Sequence, residues 1–138
     1  MADTLKLEIV TPETTIYSED VEMVTLPGSE GEAGIYPNHV PLMTRVQAGE
    51  IIVNRGGTEE VVAIGEGFAE ITGDHIAILT DNAANSADID EAAAEEAKAK
   101  AEQRLEEGGD ISEEEAKALT HAILYSRAQI TAKRRKRG

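Results

Sequence analysis

The sequence contains 138 residues, of which 27 are acidic and 13 basic, and its formal net charge is −14. This length allows one ordinary domain, or one small domain with an appendage, and a real hydrophobic core. Because the chain has no cysteine, disulfides, thiolate nucleophiles and cysteine-based zinc sites are excluded. No apolar run approaches the roughly 20 residues that span a bilayer, and the first residues lack the character of an export signal. We therefore expect a soluble chain whose contact with any membrane is indirect.

Through residue 81 the hydrophobic pattern has a period of two and is interrupted by turn residues. Leu5, Leu7 and Ile9 alternate with polar neighbours, as in a half-buried strand. Similar short runs recur at hairpin spacing, with glycines between several of them, at 21–26, 51–53, 61–64, 68–71 and 76–79. Six or more such strands predict an antiparallel sandwich or barrel. Nothing between them is long enough for a crossover helix, which argues against a parallel α/β fold.

The second part of the chain has a helical pattern. Residues 88–107 are rich in Ala, Glu and Lys and contain no Gly or Pro, which predicts a helix that ends at Gly108-Gly109. Ser112 and Glu115 form a capping box at the start of a second helix. The sequence thus predicts a β-sandwich domain over residues 1–84 and an αα-hairpin with a basic tail over residues 85–138.

The two predicted helices have different apolar seams. The second has a narrow seam at Ala116, Leu119, Ile123, Ser126 and Ile130. The first has a seam made mostly of alanine, at Ile89, Ala93, Ala97, Ala101 and Leu105. Because alanine buries little area, at about 25 cal/mol per Å², we expect the hairpin to be held only lightly to the sandwich and to be able to move.

The charge is distributed unevenly along the chain. Residues 1–87 hold 15 acidic and 3 basic side chains, and residues 88–132 hold 12 acidic and 5 basic ones. The last five side chains before the final glycine are all basic, at Lys133, Arg134, Arg135, Lys136 and Arg137. Such a cluster suits an arm for nucleic acid or for an acidic protein surface. It equally suits a solubilising helix end, where cations favour the negative pole of the helix dipole.

The residue types that are common in active sites do not occur here in catalytic patterns. The three histidines lack metal-binding spacing, and no serine lies in a nucleophile elbow. The glycine-rich segments lack the lysine and following helix of a phosphate loop. With only four aromatic side chains, at Tyr17, Tyr36, Phe68 and Tyr125, stacking on single-stranded nucleic acid is disfavoured. We expect a non-catalytic protein with no cofactor and no metal.

The segment from Pro27 to Leu42 contains three prolines and three glycines. It is too long for a hairpin loop and too rich in fixed turn geometry for a disordered linker. Two interpretations are compatible with each other. The segment is a folded crossover between sheets, or a docking loop presented by a rigid scaffold.

This segment also carries a resemblance. Residues 28–42, Gly-Ser-Glu-Gly-Glu-Ala-Gly-Ile-Tyr-Pro-Asn-His-Val-Pro-Leu, resemble the signature of the epsilon subunit of F-type ATP synthases. Three further segments agree with it, at 7–12, 65–71 and 76–81. The resemblance implies a sandwich of about ten antiparallel strands followed by an αα-hairpin. It also implies a rotor subunit that joins the gamma subunit to the membrane c-ring, with a hairpin that extends to the alpha and beta catalytic subunits and inhibits ATP hydrolysis.

The resemblance assigns candidate contact residues. Glu30, Glu32 and His39 match positions that face the c-ring, and Glu32 is the first choice because a carboxylate can pair with basic loop residues there. The inhibitory contact with an acidic segment of the beta subunit falls on the cations of the second helix, at Arg127, Lys133, Arg134, Arg135, Lys136 and Arg137.

One departure from the family concerns ATP. ATP-binding members carry Ile/Leu-Asp-x-x-Arg-Ala at the start of the first helix, whereas this chain has alanine at Ala93 in place of the arginine. We therefore expect weak or no ATP binding. The resemblance implies a peripheral location on the cytoplasmic or stromal face of a bacterial plasma membrane or thylakoid, and is nearest the photosynthetic branch. The alternative function is a free-standing module that binds acidic partners or nucleic acid through its basic tail. The acidic body of the chain opposes nucleic acid.

Overall fold

The computed structural model describes residues 4–28 and 31–137, without the side chains of His39, Lys136 and Arg137. Over these residues the chain forms ten strands followed by two helices, as predicted. The strands are β1 (Leu5–Val10), β2 (Thr15–Val21), β3 (Met23–Gly28), β4 (Gly31–Ile35), β5 (His39–Val46), β6 (Gly49–Arg55), β7 (Thr58–Ile64), β8 (Gly67–Gly73), β9 (His75–Thr80) and β10 (Ala83–Asn85). The helices are α1 (Glu91–Glu107) and α2 (Glu113–Arg137), and a single 3₁₀ turn, Ser86–Asp88, precedes α1.

The strands form two packed sheets. In the described residues, sheet 1 has the order β2-β1-β9-β8-β5 and sheet 2 the order β10-β7-β6-β3-β4. The pairings are antiparallel, as predicted, except that β1 and β9 run parallel, which the sequence did not predict. No crossover helix is needed there, because the strands between β1 and β9 themselves provide the long connection.

The core lies between the inner faces of the sheets and is aliphatic. The alternation in β1 is confirmed, since Leu5, Leu7 and Ile9 are buried. Their partners are branched side chains from both sheets, including Val24, Ile51, Val53, Val62, Ile64, Ile71, Ile76 and Ile78. One aromatic residue, Tyr17, joins this cluster. Non-directional burial of this kind supplies most of the driving force for folding.

The segment from Pro27 to Leu42 crosses from sheet 2 to sheet 1, as predicted, but it contains a hairpin that the sequence analysis had excluded. It forms the β3–β4 hairpin, a short turn at residues 36–38 and the first half of β5. Gly31 has a φ of 112°, which glycine adopts at no steric cost and which permits the tight reversal. Pro27 is tolerated in β3 because the pairing with β6 covers only Met23, Val24 and Thr25.

Both helices begin at a side-chain cap. Asp90 accepts a hydrogen bond from the backbone N–H of Ala93 at 3.1 Å, and Ser112 accepts one from the N–H of Glu115 at 3.0 Å. The second half of the predicted capping box is replaced, because the carboxylate of Glu115 binds Arg104 of α1 at 3.3 Å. This ion pair closes the turn between the helices.

The seam of α2 is confirmed and that of α1 is shifted. Ile123, Ser126 and Ile130 are buried, as predicted. In α1, however, Ala93 is exposed and Ala94 is buried. The helix starts at Glu91, after its cap, and this start places Ala94 and Ala101 on the face towards α2. Because six of the 17 residues of this helix are alanines and three of them are consecutive, its sequence does not distinguish one face from the next.

A second face of α2 was not predicted. Tyr125, Ala128 and Ala132 pack on Val61 and Ala63, on the outer side of β7. Ile89, in the link before α1, completes this small cluster. The hairpin is therefore folded back against sheet 2.

Candidate functional sites on the sandwich edge, the outer sheet and the basic tip

The first candidate site is one side of the sandwich, which we call the edge surface and define as β4, the turn at 36–38 and β5. β5 is the terminal strand of sheet 1 and β4 that of sheet 2. Four large apolar side chains are exposed on this surface: Tyr36 at 61%, Val40 at 72%, Leu42 at 44% and Met43 at 65%. Contiguous exposed apolar surface is typical of protein–protein contact.

The candidate c-ring residues lie on this edge surface but not side by side. Glu32 is exposed on β4, where it pairs with Pro27. The backbone oxygen of Pro27 accepts a hydrogen bond from the N–H of Gln47, just beyond the end of β5. His39 begins β5 and pairs with Gly73, so Glu32 and His39 lie near opposite ends of that strand. Glu30 and the side chain of His39 lie outside the described residues.

The second candidate site is a row of side chains on the outer face of sheet 1, which we call the apolar row. Cross-strand neighbours Val10, Leu79, Phe68 and Arg45 form it across β1, β9, β8 and β5. Phe68 and Leu79 are about half exposed, and the Arg45 guanidinium lies 5.4 Å from the centre of the Phe68 ring. The sequence analysis missed this site. Its only local signal is that residues 76–79 are all apolar, without the alternation of a half-buried strand.

A groove of about 640 Å³ adjoins the apolar row. Phe68, Leu79 and Arg45 line one wall, and His121 and Leu124 of α2 line the other. His121 Nε2 lies 3.3 Å from the carboxylate of Glu66 on the β7–β8 turn. The groove therefore depends on the closed position of the hairpin.

The third candidate site is the basic tip, which we define as Lys133, Arg134 and Arg135. Lys133 Nζ donates to the backbone oxygen of Ser86 at 3.2 Å. Arg134 binds two carboxylates of α1, Glu91 at 2.9 Å and Glu95 at 3.2 Å. Thus the described side chains of the basic cluster, which the sequence leaves open to external partners, are engaged within the chain itself.

Arg135 connects the basic tip to sheet 2. Its Nε donates to Glu50 of β6 at 2.8 Å, and the carboxylate side chain is only 13% exposed. The hydrogen bond to Glu50 raises the pKa of Arg135, and the charges of Glu59 and Glu32 raise it further. Arg135 therefore sits in the negative field of a candidate c-ring residue.

The remaining predicted positions are separate from these contacts. Arg127 is exposed on α2, and Lys136 and Arg137 have side chains outside the described residues. Ala93 is exposed on the first turn of α1, which also carries Asp90 and Glu91. Of these two carboxylates, Asp90 caps the helix and Glu91 is paired with Arg134.

Two further features of the described residues concern metal binding and membrane crossing. Among the described residues, no three His, Asp or Glu side chains cluster in a way that would hold a metal ion. In the same part of the chain, neither helix is both long and apolar enough to cross a membrane.

Comparison with known families identifies the class of the sandwich. Residues 4–86 match the family model described as "ATP synthase, Delta/Epsilon chain, beta-sandwich domain". This match spans β1 to β10 and ends before α1. The sandwich is therefore a delta/epsilon-type domain.

Curated relatives extend the match into the hairpin. The ATP synthase epsilon chain of Desulforamulus reducens is 41% identical over 125 residues, which cover 90% of this chain and 95% of the relative. The ATP synthase epsilon chain of Dehalococcoides mccartyi is 40% identical over 135 residues, which cover 96% and 95%. The chain belongs to the ATP synthase epsilon chain family, which confirms the resemblance carried by residues 28–42.

Two solved assemblies contain chains of the same fold. One is the mitochondrial ATP synthase of Euglena gracilis with its OSCP, F1 and c-ring, where the TM-score is 0.74 at 21% identity, covering 94% of this chain and 81% of that one. The other is the central stalk and c-ring of the Tetrahymena thermophila enzyme, with a TM-score of 0.58 at 10% identity, covering 95% and 97%. At these identities the likeness establishes the shared fold.

Proposed function

We propose that this chain is a non-catalytic central-stalk subunit of a proton-translocating F-type ATP synthase, which couples the gamma subunit to the c-ring and inhibits ATP hydrolysis through its hairpin. The observation that carries the proposal is the division of the molecule into a firmly packed sandwich with two exposed apolar surfaces and a hairpin docked mainly through alanines. Family membership and the c-ring assemblies of the structural neighbours support it. Membrane association is then indirect, at the cytoplasmic face of a bacterial plasma membrane or the stromal face of a thylakoid.

The apolar row is the proposed gamma-facing surface. Its Phe68 and Leu79 are large, exposed and central to sheet 1, and the adjoining groove offers a cleft for a partner side chain. We expect Leu79→Ser to weaken co-purification with the gamma subunit, whereas Leu105→Ser, at an exposed leucine of α1, leaves it unchanged. Equal recovery of gamma with both variants would contradict this assignment.

The edge surface is the proposed c-ring contact, with Glu30, Glu32 and His39 as its polar residues. An exposed ion pair contributes only about 0–1 kcal/mol, so several contacts must act together. Glu32→Lys replaces attraction by repulsion, and we expect it to weaken binding to c-ring vesicles about tenfold, with less effect at high salt. Glu13→Lys, at an exposed residue of the β1–β2 turn, provides the charge-matched control. The proposal fails if the two variants bind alike.

The hairpin is the proposed inhibitory element, and Arg127 with residues 133–137 is its proposed contact with an acidic segment of the beta subunit. A two-state element of this kind acts by changing position rather than by chemistry. We expect a chain truncated after Ala87 to assemble with the rotor and to relieve inhibition of ATP hydrolysis. If truncated and full-length chains inhibit equally, the hairpin has no inhibitory role.

A further inference from the structure

The contacts of the basic tip lie on three different parts of the molecule. Lys133 holds the link before α1, Arg134 holds α1, and Arg135 holds β6. We infer that the basic tip is an internal latch that keeps the hairpin closed, and that carboxylates of a partner open the hairpin by competing for these cations. The identity of that partner rests on the proposed inhibitory function, whereas the latch itself does not.

The apolar contact beneath the latch is small. On α2 it consists of Tyr125, Ala128 and Ala132, and two of these three side chains end at Cβ. Burial scales with apolar area, so this contact alone holds α2 weakly. The polar contacts at the tip therefore account for a large share of the preference for the closed position.

At the basic tip, each arginine binds carboxylates through two nitrogen donors. Arg134 reaches Glu91 and Glu95, two carboxylates one helical turn apart, through Nε and Nη2. Arg135 uses the same pair of donors on the mostly buried carboxylate of Glu50, at 2.8 and 3.5 Å. A guanidinium fork holds carboxylates in a fixed orientation, which a lysine does not.

The surroundings of Arg135 add an electrostatic reason for closure. Glu50, Glu32 and Glu59 all act on its charge. When the tip leaves, these carboxylates lose their nearby cation and repel one another. Salt and external carboxylates both reduce this cost of opening, the first by screening and the second by supplying another partner for the arginines.

The latch is testable in the isolated full-length chain, because that chain has no cysteine of its own. A cysteine at Ala128, which lies on the face of α2 that packs on sheet 2 and is 6% exposed, reacts with the thiol reagent DTNB only when α2 leaves sheet 2. If closing is fast relative to labelling, the labelling rate reports the open fraction. A cysteine at Ala69, in the core of the sandwich, reports global unfolding in the same way.

Removing the latch should accelerate labelling at position 128. Each exposed ion pair accounts for up to about a fivefold change in the open fraction. We expect about tenfold faster labelling with Arg134→Gln and Arg135→Gln together, and about threefold with Glu50→Gln. Lys100→Gln and Lys117→Gln together, at exposed positions of the hairpin, match the charge change of the double variant. Glu70→Gln, on the other sheet, matches that of Glu50→Gln. Both controls should leave the rate within twofold.

A competitor tests the second part of the inference. Poly-L-glutamate should accelerate labelling at position 128 in the parent chain and have little effect in the Arg134→Gln/Arg135→Gln variant. Unchanged rates in the variants, or equal acceleration at position 69, would overturn the latch. Acceleration by the substitutions without any by poly-L-glutamate would overturn the competition. None of these results depends on inhibition of the assembled enzyme, which the truncation after Ala87 tests separately.

Discussion

The Tyr17 hydroxyl and the Arg55 guanidinium both link the two sheets at one side of the sandwich. Tyr17 on β2 is buried, and its hydroxyl donates to Glu60 on β7 at 2.8 Å. Arg55 binds the same Glu60 at 3.2 Å and Glu19 at 3.1 Å. Burial raises the pKa of Tyr17 far above its ordinary value, and the hydrogen bond to Glu60 raises it further. The folded chain therefore keeps the Tyr17 proton at pH values at which an unfolded chain would lose it.

Stability should consequently decline in alkaline solution. An unfolded tyrosine loses its proton near pH 10, and the raised pKa of Tyr17 means that its contribution is complete below that pH and is lost as the pH rises above it. We expect Tyr17→Phe to cost about 1 kcal/mol at neutral pH and to flatten the alkaline decline, measured by urea unfolding from pH 8 to 11. An equally steep decline in the variant would contradict the assignment to Tyr17.

A glycine marks the closest backbone approach in sheet 1. A Cβ placed on Gly67 would lie 2.0 Å from the backbone oxygen of Leu79, whereas one on Gly34 would meet nothing closer than 3.8 Å. We expect Gly67→Ala to destabilise the fold by about 2–3 kcal/mol, and Gly34→Ala to change the unfolding free energy much less. Urea denaturation of the two variants side by side measures this difference. Similar unfolding free energies for both would show that β8 and β9 can move apart enough to accommodate the added Cβ.

The family resemblance implies an arginine in ATP-binding members at the position of Ala93, and this chain lacks it. The first turn of α1 carries Asp90 and Glu91. The nearby Arg134 is already engaged by Glu91 and Glu95. We expect no measurable heat on titration of the full chain with ATP at concentrations up to about a millimolar. Micromolar affinity in that calorimetric titration would show that other cations replace the missing arginine.

At the scale of elements, the sequence predicts what depends on local order. Strand alternation, the glycine at the end of α1 and the Ser112 cap are short-range features, and the structure contains all three. Features that depend on distant partners were not predictable. The parallel β1–β9 pair joins segments about 70 residues apart, and the face of α1 is ambiguous because its alanines occupy adjacent positions as well as positions one turn apart.

The hairpin also shields part of sheet 2. Val61 and Ala63 lie on the outer side of β7 and are fully buried beneath α2 and Ile89. A chain truncated after Ala87 should expose them, so we expect stronger fluorescence of a hydrophobic dye with the truncated chain than with the full-length chain. Adding Val61→Thr to the truncated chain should reverse part of the increase. Equal dye binding by truncated and full-length chains would show that the contact is open even in the presence of the hairpin.

In the whole molecule, the candidate sites combine residues that are far apart in the sequence, which the sequence does not predict. The family resemblance proposes Glu32 and the basic tail as contact residues, yet nothing in the sequence pairs Arg135 with Glu50, 85 positions away. The apolar row is equally hidden, since its four residues come from four strands whose order is set by topology. Family resemblance supplies roles for residues, whereas only the fold shows which residues act together.

Acidic side chains of the body and the cations of the basic tip are partners in the closed molecule. The charge of −14 includes carboxylates on β6 and α1 that bind the tip in the closed molecule. The same cations are those proposed to meet the beta subunit. Because one set of charges cannot bind both partners at once, closure of the hairpin and inhibition exclude each other in this account.

The most direct test is a distance between the hairpin and the sandwich in the assembled enzyme. Spin labels on Thr58→Cys and Ala122→Cys, both at exposed positions, report this distance when the other subunits carry no reactive cysteine. We expect one short distance in the isolated chain, and a second, longer distance in the assembled enzyme whose population rises as ATP hydrolysis is inhibited. A single short distance in a fully inhibited enzyme would contradict the proposal that this hairpin inhibits by leaving the sandwich.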